Sequence, residues 1–273
     1  MVNLRGLIIL FALILGPYLT KSQGFTVPDK VLSMTLNSIV YLESINKSMG
    51  LYDAHIDTVS GVGFLISDQG KTYLVTAYSN LRRKSLKGLI MQNDSIYLSR
   101  SLDGSKKGIY LKGLSKEITS GKHVFTSEKE NLLILSLRKN HHDVIKYFLS
   151  MGSKPISLNL LQQVLQRQQP NDRLYHGVYL PFNDEKGNRR LRAGVGVNSV
   201  VSFSEKSNSF SAMGFNALGE DGAPVIVKGK VIGMIARSSE TGQQGQVLKS
   251  TYVISALRQL QQKELSINVK SNY

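Results

Sequence analysis

The sequence predicts an all-β protein in two halves with a helix at its C-terminal end. Three observations carry this. Short apolar runs separated by turns recur along the chain, at a spacing that suits antiparallel barrels. The stretch 141–170 interrupts them. The last run then leads into a segment where Ile254, Leu257 and Leu260 share one helical face.

The first half supplies "GVGFLIS" (61–67), "TYLVTA" (72–77), "LIMQ" (89–92), "SIYLS" (95–99), "GIYLKGL" (108–114), "HVFTS" (123–127) and "NLLILSL" (131–137), all read as strands. In the middle, "SLNLLQQVLQRQQP" places Leu158, Leu161 and Leu165 on one face and ends at Pro170, which predicts a short helix in a linker. Strands resume at 175–182, 191–203 and 209–215, with "KGNRR" (186–190) as a polar hairpin turn. "GEDGAPVIVKGKVIGMIA" (219–236) reads as a Gly-rich turn and a hairpin, its arms 225–227 and 231–235 flanking Lys-Gly-Lys. "STYVISALRQLQQKEL" closes the chain as a strand running into a helix. The expected organisation is a leader 1–24, an N-terminal half 25–140, a linker 141–172, a C-terminal half with its helix 173–265 and a tail 266–273.

A chain of 273 residues can bury a large core without disulfides. It has no cysteine, which excludes disulfides, thiolate nucleophiles and Cys-ligated metals. A charged start, the apolar run "GLIILFALILG" (6–16), Pro17 and the small residues Ser22 and Gly24 fit a secretory signal peptide cleaved near Gly24. The protein is then expected to be secreted or periplasmic; an uncleaved segment would instead anchor it to a membrane. The formal net charge is +15, and Arg5 and Lys21 are the only charges within 1–24, so cleavage would leave +13. Such an excess attracts anionic polysaccharide or lipid surfaces. Nucleic acid is disfavoured, because no basic stretch is interleaved with aromatics.

Gly219 and Gly222 bracket a turn tight enough to gather backbone N–H groups, as oxyanion holes do. A nucleophile is expected between them, yet the residue is Asp221. The histidines are His55, His123, His141, His142 and His176. His141 and His142, with Asp143, lack a second pair at ligand spacing and are expected as exposed linker residues. No metal and no cofactor is implied.

Three segments, in order, resemble the trypsin-like (chymotrypsin-fold) serine proteases of the PA clan, especially the bacterial HtrA-like branch. They are "GVGFLISDQGKTYLVTAYSNL" (61–81), "ENLLILSL" (130–137) and "GEDGAPVIVKGKVIGMIA"; the tail "STYVISALRQL" is similar to that fold's last strand and helix. The resemblance spans roughly 35–265 and implies two six-stranded antiparallel barrels with a C-terminal helix. The family's catalytic His, Asp and Ser positions fall on Ser79, Asn131 and Asp221, so none of the three triad residues is present. A shifted register does not restore them: there is no His between 56 and 122 and no Ser between 212 and 237. Gly219, Gly222, Pro224 and Gly233 match the pattern and Ala223 replaces a Gly, so the N–H groups of Gly219 and Asp221 are expected to face the cleft. Arg82, Arg83, Lys84 and Lys87 follow the lost His directly and are the candidate anion-binding residues; Lys186, Arg189, Arg190 and Arg192 form a second cluster. The expected function is a secreted pseudoprotease that binds an anionic ligand or a protein or peptide partner, possession of an unusual active endopeptidase site being the alternative.

Overall fold

The computed structural model describes residues 27–49, 54–84, 90–92, 95–100, 108–161, 170–183, 186–187, 189–214, 219–237 and 244–270. Helix α1 (Asp29–Ser38) leads into β1 (Ile39–Met49), β2 (Ala54–Asp68) and β3 (Lys71–Ala77). A 3-10 turn, Tyr78–Leu81, separates β3 from β4 (Arg82–Lys84), which pairs only with β5 (Ile90–Gln92). There follow β6 (Ile96–Ser99), β7 (Ile109–Leu111), α2 (Leu114–Ser120), β8 (Val124–Ser127), β9 (Leu132–Leu137), α3 (His142–Ser150) and β10 (Ile156–Ser157). The second half holds β11 (Arg173–Asn183), β12 (Arg189–Ser202), β13 (Ser209–Met213), β14 (Pro224–Val227), β15 (Lys230–Arg237) and β16 (Gln244–Lys249), then α4 (Ser250–Lys270).

The C-terminal half is a closed barrel, β11-β12-β13-β16-β15-β14. The N-terminal half is a sheet in the order β7-β6-β1-β2-β3-β9-β8, with β10 parallel to β2; among the described residues its edges β7 and β8 do not meet. It is therefore a half-barrel where the sequence predicts a closed one.

Burial on both faces explains why the central strands read as unbroken apolar runs. In β9 all six residues are buried. Leu133, Leu135 and Leu137 point into the N-terminal half's own core with Leu74 and Phe148. Leu132 and Ile134 alternate to the other face and join Tyr73, Val75, Met234 and Leu257 in a core shared by both halves. A third core fills the closed barrel, with Leu174, Phe210, Ile235 and Val247, and it recruits Ile39 and Val62 from the first half. Helix α4 lays Val253, Leu257 and Leu260 on the shared core, as the spacing of Ile254, Leu257 and Leu260 predicts. The β14–β15 hairpin closes at Lys228 (φ 49°) and Gly229 (φ 73°), the two positive angles that match the right-handed twist of the flanking strands.

Several elements differ from the sequence reading. The final strand is Gln244–Lys249, and "STYVIS" already belongs to α4. The run 108–114 divides into β7 and the start of α2. Leu158–Leu160 is a single 3-10 turn, and Leu161 bridges to Val231; residues 162–169 lie outside the described set. The helix of this region is α3, earlier in the chain, where Val144 and Phe148 at i and i+4 bury one face. His141 is correspondingly not exposed: it is 7% accessible, its Nδ1 accepts the Arg138 N–H at 3.3 Å, and burial pushes its pKa down. The leader 1–24 lies outside the described residues, among which no helix is long and apolar enough to cross a membrane.

Two polar ties hold the helices. Arg100, 2% exposed, donates to Leu36 O and Asn37 Oδ1 at 3.1 Å each and to Met151 O. It thereby serves carbonyls at the C-terminal ends of α1 and α3, where a cation is favoured. On α4, the buried carboxylate of Glu264 accepts Lys71 Nζ at 3.0 Å and His123 Nδ1 at 3.0 Å, and Ser136 adds a third donor. Burial alone would raise the Glu264 pKa, but these hydrogen bonds outweigh it and hold the group below the ordinary glutamate range.

A depressed carboxyl pKa contributes stability that is present above the unfolded-state value and is lost as pH falls through the folded-state value. Melting temperature should therefore decline as pH drops below 4.5, the ordinary glutamate value. Glu264→Gln should cost about 1–3 kcal/mol at pH 7, with the deficit shrinking toward zero in acid as the wild-type carboxyl is protonated. Thermal melts from pH 3 to pH 7 measure this; a constant gap across the range would contradict it.

Candidate functional site

β3 ends at the junction of the two halves, and the 3-10 turn that follows places Ser79 there. Asn131 arrives from the neighbouring strand. It stands just before β9 at φ 50°, a left-handed conformation that Asn tolerates better than most residues. The two residues are tied by backbone and side chain together. Tyr78 N–H donates to Asn131 O at 3.2 Å, Ser79 N–H donates to Asn131 Oδ1 at 2.7 Å, and Asn131 Nδ2 donates to Ser79 Oγ at 2.9 Å. Asn131 Nδ2 also donates to Ala236 O of the C-terminal barrel.

Asp221 comes from the loop before β14. Its Oδ2 lies 3.5 Å from Ser79 Oγ, at the limit of a hydrogen bond. The three positions that the resemblance singled out thus converge in one hydrogen-bonded row at the junction: Asn131, Ser79, Asp221. The Asp221 carbonyl turns back to the N-terminal half, accepting Val62 N–H at 3.1 Å and Asn80 Nδ2 at 2.9 Å. Asn80 is 4% exposed and also donates to Thr76 Oγ1 at 2.9 Å. Sequence reasoning passed over Asn80, since a polar residue beside Ser79 carries no motif of its own.

The loop itself is tightly held. Gly222 N–H donates to Ile235 O at 2.8 Å, Ile235 N–H to Ala223 O at 2.9 Å, and Ala223 N–H to Glu220 O at 3.0 Å. Gly219 and Gly222 lie at φ 79° and 92°. Behind the loop, inside the closed barrel, Glu220 Oε1 lies 3.4 Å from His176 Nε2, their side chains 0% and 2% exposed. His176 is thus committed to the carboxylate next to Asp221, on the barrel side of the loop. Sequence reading had placed His176 only in a strand, and the pairing is invisible there because the two residues are distant in the chain.

The row is not a Ser-His-Asp triad. A triad needs a hydroxyl, an imidazole that takes its proton, and a carboxylate that orients the imidazole. Ser79, Asn131 and Asp221 supply a hydroxyl, an amide and a carboxylate, with no imidazole among them. Neither Ser79 nor Asn131 can accept a proton near neutral pH, and the one carboxylate of the row, Asp221, lies 3.5 Å from Ser79 Oγ.

Of the basic residues, Arg82–Lys84 form β4, which leaves the Ser79 turn directly; Lys87 lies outside the described residues. Lys186 and Arg192 are exposed on the ribbon formed by β11 and β12, and Arg189 and Arg190 share that ribbon. His123 reaches Glu264, His141 and His142 begin α3, and His55 pairs opposite Ser48 in the β1–β2 ribbon. Among the described residues no three His, Asp or Glu side chains are grouped to hold a metal ion.

Gly222 sets the tightest approach in the site. A Cβ there would lie 2.0 Å from Val62 O, 2.6 Å from Thr76 Oγ1 and 2.8 Å from Ala77 N. Gly70 has a similar φ, 77°, with nothing within 4 Å of an added Cβ. Gly70→Ala should therefore cost only the backbone term, about 1–2 kcal/mol. Gly222→Ala should add a steric term of about 1–3 kcal/mol and should disturb the contact between the halves. Denaturant melts of the two variants test this; equal losses would show that the close approach is not rigid.

No family model and no curated protein matches the chain. Solved structures do. An inactivated protease paralogue of the scabies mite is similar with a TM-score of 0.51 at 13% identity, over 85% of this chain and 94% of the other. The serine protease domain of the Sesbania mosaic virus polyprotein gives 0.44 at 16% identity, over 80% and 90%. Tobacco etch virus protease gives 0.45 at 15% identity, over 82% and 77%. With its closed six-stranded barrel, its half-barrel and its C-terminal helix, this chain has the chymotrypsin-type fold.

Proposed function

We propose that this protein is a pseudoprotease, a chymotrypsin-type fold that binds rather than cleaves, derived from an HtrA-like ancestor and acting outside the cytosol. The observation that carries the reading is the hydrogen-bonded row of Asn131, Ser79 and Asp221. It offers a hydroxyl, an amide and a carboxylate that engage one another and no imidazole to relay a proton. The scabies mite protein, itself named an inactivated protease paralogue, gives a precedent for the fold in a non-cleaving role. The net charge of +15 and the basic run from Arg82 to Lys87, whose first three residues form β4 beside the row, favour an anionic polymer or lipid surface as ligand.

The wild-type protein should neither hydrolyse casein nor label with a fluorophosphonate probe, and Asp221→Ser alone should stay inert, because an unassisted serine is a poor nucleophile. Ser79→His, Asn131→Asp and Asp221→Ser act as a unit, so labelling should appear only in the combination. Site-specific labelling of the wild type, abolished by mutating the labelled residue, would overturn the reading. For the ligand, retention on heparin should fall steeply with salt, since charges are screened within about 8 Å at physiological ionic strength. Neutralising Arg82, Arg83, Lys84 and Lys87 should reduce retention more than neutralising Lys186, Arg189, Arg190 and Arg192. Equal reductions would assign the binding to net charge.

A further inference from the structure

The other end of β3 carries a second feature. A cavity of about 470 Å³ opens between α4 and the N-terminal sheet, lined by Lys71, His123, Ser136, Arg138, His142 and Glu264, with Leu137, Ile145 and Ile267 as its apolar wall. Its volume falls within the usual range of small-molecule sites, roughly 300–1,000 Å³. Lys71 and Ala77 are the two ends of β3. At the rise of an extended strand the cavity is therefore about 20 Å from the Ser79 row.

We propose that this cavity is a binding site for a small amphiphilic anion, a carboxylate or phosphate monoester carrying a short apolar body. It stands independently of the pseudoprotease reading. The one acid that lines the cavity, Glu264, is already engaged by Lys71, His123 and Ser136, with its side chain only 5% exposed. That arrangement uses one of the three donors of the Lys71 ammonium, which is itself 45% exposed at the cavity rim. Arg138 is paired through Nη2 with Glu117, while its Nε is buried without a hydrogen-bond partner among the described residues. His142 is exposed at the start of α3. Donors thus outnumber acceptors on the polar side of the cavity, and a ligand acid completes them. Ile145 and Ile267, both half-buried, face the same space and reward an apolar body.

Titration calorimetry with hexanoate, hexyl phosphate and hexylamine tests the assignment. At least one of the two anions should bind saturably at one site, and the stronger of them distinguishes a carboxylate from a phosphate ligand. Hexylamine should bind at least tenfold more weakly. Lys71→Gln with Arg138→Gln should weaken the preferred anion at least tenfold. His142→Glu, an exposed substitution that leaves the Glu264 and Glu117 pairs intact, should do the same, so the test stands even if the double variant folds poorly. Neutralising Arg82, Arg83, Lys84 and Lys87 should leave this binding unchanged. Any of three results would overturn the proposal: no saturable binding of either anion at millimolar concentration, equal binding of hexylamine, or wild-type affinity in His142→Glu.

Discussion

The rest of the structure depends on a main-chain contact between two halves that also share a core. Gly222 rides directly over β2 and β3, close enough that a single methyl group would meet Val62 O at 2.0 Å. The same approach lets the Asp221 carbonyl take the Val62 N–H at 3.1 Å and the Asn80 amide at 2.9 Å. The loop is thus fixed from below by the first half and from its flank by β15, through Gly222 N–H to Ile235 O. A loop held in this way keeps its shape whatever side chain it presents. The Asp221 side chain is presented from a backbone fixed in this way.

The polar row above this contact follows a different logic. Buried donors and acceptors must find partners, or each costs its desolvation. The junction gathers several such groups. Ser79 and Asn131 pair them reciprocally: the amide of Asn131 accepts the Ser79 N–H and donates to the Ser79 hydroxyl. Asn131 also reaches Ala236 O across the junction, so it ties the halves together where a carboxylate, an acceptor only, could not. An Asn at this position therefore satisfies both the Ser79 backbone and the Ala236 carbonyl. The donors and acceptors of the row are thereby mutually satisfied.

Strands buried on both faces, β2, β3 and β9, were legible because their apolar runs are continuous and bounded by turns. The β14–β15 hairpin was legible because its turn residues require positive φ. The convergence of Ser79, Asn131 and Asp221 was accessible only through the order of three short motifs, since no local pattern relates residues 52 and 142 positions apart. What escaped is chiefly helical. α1 is a short segment with little apolar weight, and α3 was passed over because Leu158, Leu161 and Leu165 offered a cleaner period nearby. Val144 and Phe148 supply only two anchors for α3, and its C-terminal carbonyl is met by Arg100, far away in sequence. The contact of His176 with Glu220 escaped for the same reason: buried polar contacts between distant residues are made by the fold and leave no spacing to read.

β3 and β9 connect the junction with the far side of the molecule. They run antiparallel in full register, Ala77 beside Leu132 at the junction and Thr72 beside Leu137 at the opposite end. At one end the pair delivers Ser79 and Asn131; at the other it delivers Lys71 and Ser136 to the carboxylate of Glu264. Helix α4 closes the second end and, through Leu257 and Leu260, contributes to the core on which β15 and the loop flank also rest. The two ends are therefore joined by one pair of strands and one close-packed core. The glycine contact fixes the junction end of these strands, and the Glu264 hydrogen bonds tie α4 to the other end, about 20 Å away along the strands.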